Sequence, residues 1–245
     1  MTRRTLLLAP SLLFAQSPRP RLAIQWISGR IPDAFAREAV VFSRAYTCCP
    51  NRARAVWAVE HGRFPHAAGD DGPSVWDSFT RSSADAADVV VMTAHSADGK
   101  ESWRERSVHV PLAIRWRGRL AARVEHGLYS HADVLPLLLR AGAAAAPAEA
   151  VYIEGNLGDR GEWRALVRGY DKVVWGYAGG REDLTGLYNV AEDPEEAHDL
   201  RAVPAHRLTR DSMWALAQRW MERLEDGRDA HGLRTRPVRE DSKQN

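Results

Sequence analysis

The sequence predicts an α/β protein in which a mixed, mostly parallel sheet flanked by helices is followed by a small antiparallel sheet with a packed helix. Three observations carry this. The run Ala87-Asp88-Val89-Val90-Val91-Met92-Thr93 is β-branched and nearly continuous in its apolar character, the pattern of a strand buried on both faces. From Ala150 the texture changes to short strands at 151–153, 163–167 and 172–175, separated by turn residues and read as antiparallel hairpins. Met213, Trp214, Ala217, Trp220, Met221 and Leu224 then recur at helical spacing and predict a closing helix over 208–224.

A chain of 245 residues with 44% hydrophobic content has room for one sizeable domain and an appendage, placed here at 20–148 and 150–227. A net charge of +2 gives no reason to expect nucleic acid as a partner. At the N-terminus, Arg3-Arg4 precede an apolar run too short to span a bilayer, and Phe14-Ala15-Gln16 offers a cleavage site. Residues 1–15 therefore read as a signal peptide, the protein as exported to the periplasm or beyond the cell, and no membrane span is expected. The twin arginine suits export of an already folded chain. After Gly227 the tail, 228–245, is charged and poor in apolar residues, and is expected to be disordered.

In chain order, 21–27 reads as the first strand, with Ser28-Gly29 at its end. Pro32-Asp33 opens a helix, where an aspartate is favourable near the N-terminus. The stretch 42–69 holds both cysteines, Cys48 and Cys49, followed by Pro50, Arg52 and Arg54 and a helical run. Proline is tolerated in the first helical turn, so one reading puts Cys48 at a helix N-terminus, activated by unpaired N–H groups and Arg52. The other reading makes Cys48 and Cys49 two small core residues beside a loop. Gly69-Asp70-Asp71-Gly72 reads as a solvated turn. The strand at 87–93 ends in Thr93-Ala94-His95-Ser96, and strand ends are where open α/β sheets place their sites. A strand at 113–118 and a helix over 130–139 follow, with His131 and Asp133 read as structural at the helix start and a pocket-facing His131 as the alternative.

Cys48-Cys49-Pro50-Asn51-Arg52 resembles the C-x-P-x-R signature of the sulfatases, which have an alkaline-phosphatase-like fold. Its flanks, Val41-Phe42-Ser43-Arg44-Ala45-Tyr46 and Gly62-Arg63-Phe64-Pro65-His66, resemble the family's lead-in and its "G-R-Y-P-H". Further matches follow in order: Gly99-Lys100, Ser107-Val108-His109-Val110-Pro111-Leu112, the 130–139 helix, and Leu187-Tyr188-Asn189-Val190 with Asp193-Pro194-Glu195-Glu196. The resemblance implies that Cys48 is oxidised to formylglycine by a formylglycine-generating enzyme and serves as nucleophile on a sulfate ester, with Arg52 stabilising it. It implies that Lys100 and His95 contact the sulfate, that His95 lies beside a bound Ca²⁺, and that the ligand is a sulfated small molecule or glycan. The chain departs from the family in three ways. Ser28-Gly29 replace the first acid pair, Ala94 replaces an aspartate of the second, and the middle section between His66 and the 87–93 strand is missing. Neither Asp33, on its helix, nor Asp70-Asp71, in their turn, is placed to substitute. The expectation is a sulfatase-family protein with weak or lost sulfuric-ester hydrolase activity. The alternative is a non-catalytic pseudo-sulfatase that binds an anionic, sulfated ligand. Thiol chemistry at Cys48 is the third reading, and the chain has no second, non-vicinal cysteine to resolve it.

Overall fold

The computed structural model describes residues 18–67, 72–140, 146–156, 161–178 and 181–224. The signal peptide expected over 1–15, Asp70-Asp71 and the tail 228–245 lie outside them. The first half of the chain contributes β1 (Arg21–Trp26), α1 (Asp33–Ala36), β2 (Val40–Tyr46), α2 (Arg52–His61), β3 (Thr80–Arg81), β4 (Val89–Thr93), α3 (Glu105–Val108) and β5 (Leu112–Trp116). The second half contributes β6 (Arg123–Ser130), α4 (Val134–Leu139), β7 (Val151–Gly155), β8 (Trp163–Arg168), β9 (Asp171–Ala178), β10 (Arg181–Asn189) and α5 (Arg207–Arg223).

Six strands form one sheet in the order β3-β1-β4-β5-β2-β6. Pairings of β1 with β3, β1 with β4, and β2 with β6 are parallel, and β5 runs antiparallel to both of its neighbours. Five strands therefore share a direction, and β1, β2, β4 and β6 all end on one edge. Alternation sorts the side chains of this sheet. Leu22, Val89, Val91, Leu112 and Ile114 face a core closed by Val59 of α2 and Val134, Leu135 and Leu138 of α4. Ala23, Val90, Met92 and Ala113 face the other way, against Phe35 and Ala39.

The second sheet is antiparallel, in the order β10-β9-β8-β7. One of its faces packs Tyr152, Leu166, Val173, Trp175 and Leu187 on Met213, Leu216, Ala217 and Met221 of α5. The opposite face packs Val151, Ile153, Ala165 and Val174 on Tyr46, Val108 and Leu128 of the first unit. Packing on both faces explains the almost unbroken burial along β7 and β8. Among the described residues no helix is long and apolar enough to cross a membrane.

One local result differs from the expectation of a helix opening at Pro50. The helix after the cysteines begins at Arg52, not at Pro50, because the Asn51 side chain caps it by accepting from the Arg54 backbone N–H at 3.3 Å. The helix closes at Gly62, whose left-handed φ of 62° places the turn against Leu135 and Pro136 of α4. This accounts for the glycine of the Gly62-Arg63 motif. The Val41 to Tyr46 lead-in belongs to β2, which lies between β5 and β6.

Candidate functional site

The edge on which β1, β2, β4 and β6 end gathers the Cys48 motif, the Thr93-Ala94-His95 strand end and the start of the 130–139 segment. Trp26 ends β1, Thr47 and Cys48 follow β2, Thr93 ends β4 with His95 two residues beyond, and His131 follows β6. Parallel strands with a common direction bring these segments together, the arrangement that puts sites at strand C-termini in α/β folds.

Cys48 is not at the mouth of a helix. It lies three residues before the Asn51 cap, is 0% exposed, and packs with Ala58, Ala132 and Phe64. Its Sγ accepts the Ala132 backbone N–H at 3.3 Å. Burial pushes the thiol far above its ordinary value, and the nearby carboxylates of Asp133 and Glu154 push it further in the same direction. Cys49 is buried as well; burial is the main cause that pushes its thiol up to about 12, against the Asn51 backbone N–H, which favours the thiolate. Of the two readings open in the sequence, activation gives way to core packing. The physical reason is that the strand end folds back through Thr47, whose Oγ1 donates to the Cys49 carbonyl at 2.6 Å and draws both cysteines inward. An aromatic disulfide reagent at pH 8 is expected to label neither thiol in the native chain and both after denaturation. Rapid native labelling of one thiol would contradict this enclosure.

Arg52 occupies the first turn of α2 and is exposed. His95 is half-buried, and its imidazole is held below its ordinary value by burial first and by the Arg52 charge second. The Arg52 charge is therefore felt at the His95 ring, which it helps to keep neutral. Asn51 links the same two segments by donating to Glu101 Oε1 at 2.8 Å. Lys100 is exposed and belongs to a tight turn in which Ser96 Oγ donates to its carbonyl at 2.9 Å and its N–H donates to Asp98 Oδ1 at 3.0 Å. The structure thus brings Arg52 and His95 together, puts Cys48 beneath the surface, and leaves Lys100 on the turn beyond.

The donors at the strand ends do not fit Ca²⁺. A hard cation of this kind takes six to eight oxygens, several from carboxylates. The matched positions hold Ser28, Gly29, Ala94 and His95. Among the described residues, no group of three or more His, Cys, Asp or Glu side chains could hold a metal ion. Asp33 is on α1, largely exposed, with Arg30 at 3.9 Å. Asp133 spends Oδ2 on the Ser130 N–H at 2.7 Å and the Ser130 hydroxyl at 3.2 Å, as a helix-start residue should.

Three residues that organise this region receive no role from the sequence. Thr47 carries no signal that separates it from other threonines, and Thr93 is marked only by its place at a strand end. Glu154 stands in the apolar run Val151-Tyr152-Ile153, and such an acid in a buried strand predicts a partner. That partner is His66, with Nδ1 2.7 Å from Glu154 Oε2.

No protein-family model and no curated sequence matches the chain. Solved structures do. Ps i-CgsB, in complex with k-i-k-neocarrahexaose, is 10% identical over 82% of this chain and 92% of its own, with a TM-score of 0.56. BT1596, a 2-O GAG sulfatase, is 20% identical over 56% of this chain and 37% of its own, with a TM-score of 0.47. BT4656, solved with its substrate D-glucosamine-2-N,6-O-disulfate, is 14% identical over 56% and 35%, with a TM-score of 0.48. The likeness to Ps i-CgsB is one of fold. The chain spans little more than a third of the length of BT1596 and BT4656.

Proposed function

We propose that this chain is a sulfatase-fold protein that binds a sulfated ligand through Arg52 and His95 and whose hydrolysis of sulfate esters is weak or absent. The enclosure of Cys48 carries this reading. A nucleophile must come within about 3–3.5 Å of the atom it attacks. A sulfur at 0% exposure, packed on Ala58, Ala132 and Phe64, has no open side from which an ester could approach. The missing carboxylates remove a second requirement, since stabilisation of developing charge is commonly the largest catalytic contribution. What persists is an anion-binding edge: a guanidinium on the first turn of a ten-residue helix that has no acid there, beside a half-buried imidazole. The Arg3-Arg4 leader supports export, which would place the site among sulfated glycans outside the cytoplasm.

The test uses the full chain co-expressed with a formylglycine-generating enzyme. Mass spectrometry of the tryptic peptide spanning 45–52 reports whether Cys48 becomes the aldehyde, and turnover of an aryl sulfate is compared with Cys48→Ala. Equal background rates in both proteins are expected. Turnover that disappears in Cys48→Ala would restore the catalytic reading. Calorimetric binding of a heparin-derived oligosaccharide addresses the ligand, and Arg52→Ala is expected to weaken it by about 10–100-fold, the loss of one charge-assisted hydrogen bond. No saturable binding by the unmutated chain would overturn the ligand proposal.

A further inference from the structure

The strand ends that offer no carboxylate cage are still tightly tied, and one side chain ties them. His131 is fully buried. Its Nε2 lies 3.0 Å from Thr93 Oγ1 and its Nδ1 lies 3.2 Å from Thr47 Oγ1. The Trp26 ring meets it edge-on, with centroids 5.9 Å apart and planes at 85°. A single imidazole, itself placed directly after β6, thus touches the ends of β1, β2 and β4. We infer that His131 takes the structural place of a cation at this edge, so that the four strand ends are held together by a neutral imidazole and the fold is indifferent to calcium.

Proton bookkeeping fixes the form of the ring. Thr93 Oγ1 donates its one proton to the Pro111 carbonyl at 2.9 Å, so it accepts from His131. Nε2 therefore carries a hydrogen, while Thr47 Oγ1, whose one proton goes to the Cys49 carbonyl, meets Nδ1 at 3.2 Å without a proton to give it. Burial, reinforced by the nearby His95, pushes the imidazole down to about 3. No carboxylate contacts the ring among the described residues, and Asp133, two positions on, is engaged by Ser130. A fully buried ring with no carboxylate against it has nothing to balance a second proton, and a calcium ion would need oxygens that these strands lack. The inference stands apart from the ligand proposal, because it concerns how the edge is held and not what binds it.

Two measurements on the unmutated full chain decide it. Nitrogen-15 NMR is expected to show the His131 ring neutral, with its proton on Nε2, at pH 5, where a free histidine is mostly charged. The thermal midpoint is expected to be the same in calcium chloride and in EDTA. A ring found charged at pH 5, or a saturable rise in midpoint with calcium, would overturn the inference. In a third arm, His131→Ala is expected to lower the midpoint by about 5–15 °C, and added imidazole is expected to raise the midpoint of that variant but not of the parent. A variant as stable as the parent would also overturn it. Should His131→Ala fail to fold, the two measurements on the parent chain still give the answer.

Discussion

Replacing Lys172 by alanine is expected to lower unfolding stability by about 3–5 kcal/mol, the usual cost of stripping one partner from a buried ion pair. The Lys172 ammonium is fully buried, 2.8 Å from Glu196 Oε1 and 3.3 Å from Glu105 Oε2. Tyr46, at the end of β2, donates its hydroxyl to Glu105 Oε1 at 2.8 Å, and the Glu105 N–H donates to Glu196 Oε2 at 2.6 Å. The cluster therefore pins the second sheet to the strand that leads into Cys48. Without the ammonium, two carboxylates remain in the interior with no cation between them. For a chain of this size the thermal midpoint should fall by about 2–4 °C per kcal/mol. The pH dependence has a definite sign. Burial raises the Glu196 carboxyl above its ordinary 4.5, and Lys172 is the largest influence opposing that rise. A carboxyl with a raised folded-state value contributes stability that is full below 4.5 and is lost as pH climbs through the folded value. Removing Lys172 lifts that value further, so the gap between variant and parent should be small near pH 4 and widest near pH 8. Urea unfolding of both proteins at several pH values checks this. Lys172→Met, which keeps most of the volume, separates lost charge from lost packing. A gap that does not change with pH would show that the lysine acts only as a space-filler.

The same cluster shows why some of this molecule could be read from its sequence and some could not. Strands β1, β4, β5 and the hairpins announce themselves because each contains a run of apolar residues with a period that burial enforces. The edge strand β6 does not, since Arg123, Val124, Glu125 and His126 alternate no hydrophobic face. Its first half lies along β2 and is open on its other side, so backbone pairing, not side-chain burial, makes it a strand. The Cys48 motif was legible as a motif, but its exposure was not. Whether a cysteine before a helix is presented or enclosed depends on where the cap falls and on which residue folds the strand end inward. Here those residues are Asn51 and Thr47, each too common in loops to give warning. The missing acids at Ser28-Gly29 and Ala94 were legible. The residue that ties their strands together was not, because the contacts of His131 come from elements 38 and 84 residues away in the chain.

The second large effect belongs to His66, the last residue of the Gly62-Arg63-Phe64-Pro65-His66 motif. Its two ring nitrogens face two acceptors, Glu154 Oε2 at 2.7 Å and the Leu224 carbonyl at 3.0 Å. A neutral imidazole has one N–H, so the fully satisfied form is the imidazolium, paired with a carboxylate that is 0% exposed. Glu154 Oε1 accepts the His66 backbone N–H at 2.8 Å, and the Glu154 N–H donates to the Cys48 carbonyl at 2.9 Å. One pair thus joins the C-terminal end of α5, the first strand of the second sheet and the cysteine loop. His66→Ala takes the counter-charge from a buried carboxylate and should cost about 3–5 kcal/mol. Its effect should also be local. Amide exchange in the last turn of α5, where the Leu224 N–H donates to Trp220, should accelerate more than exchange in β4. The Cys48 thiol should become reactive toward the aromatic disulfide under native conditions, because the strand that fixes its carbonyl is loosened. In Glu154→Gln the carboxylate that demands a counter-charge is gone and a polar side chain of the same shape remains, so a smaller loss is expected. If His66→Ala lies within about 1 kcal/mol of the parent, the value of a solvent-exposed pair, the His66–Glu154 contact is not the buried latch its geometry describes.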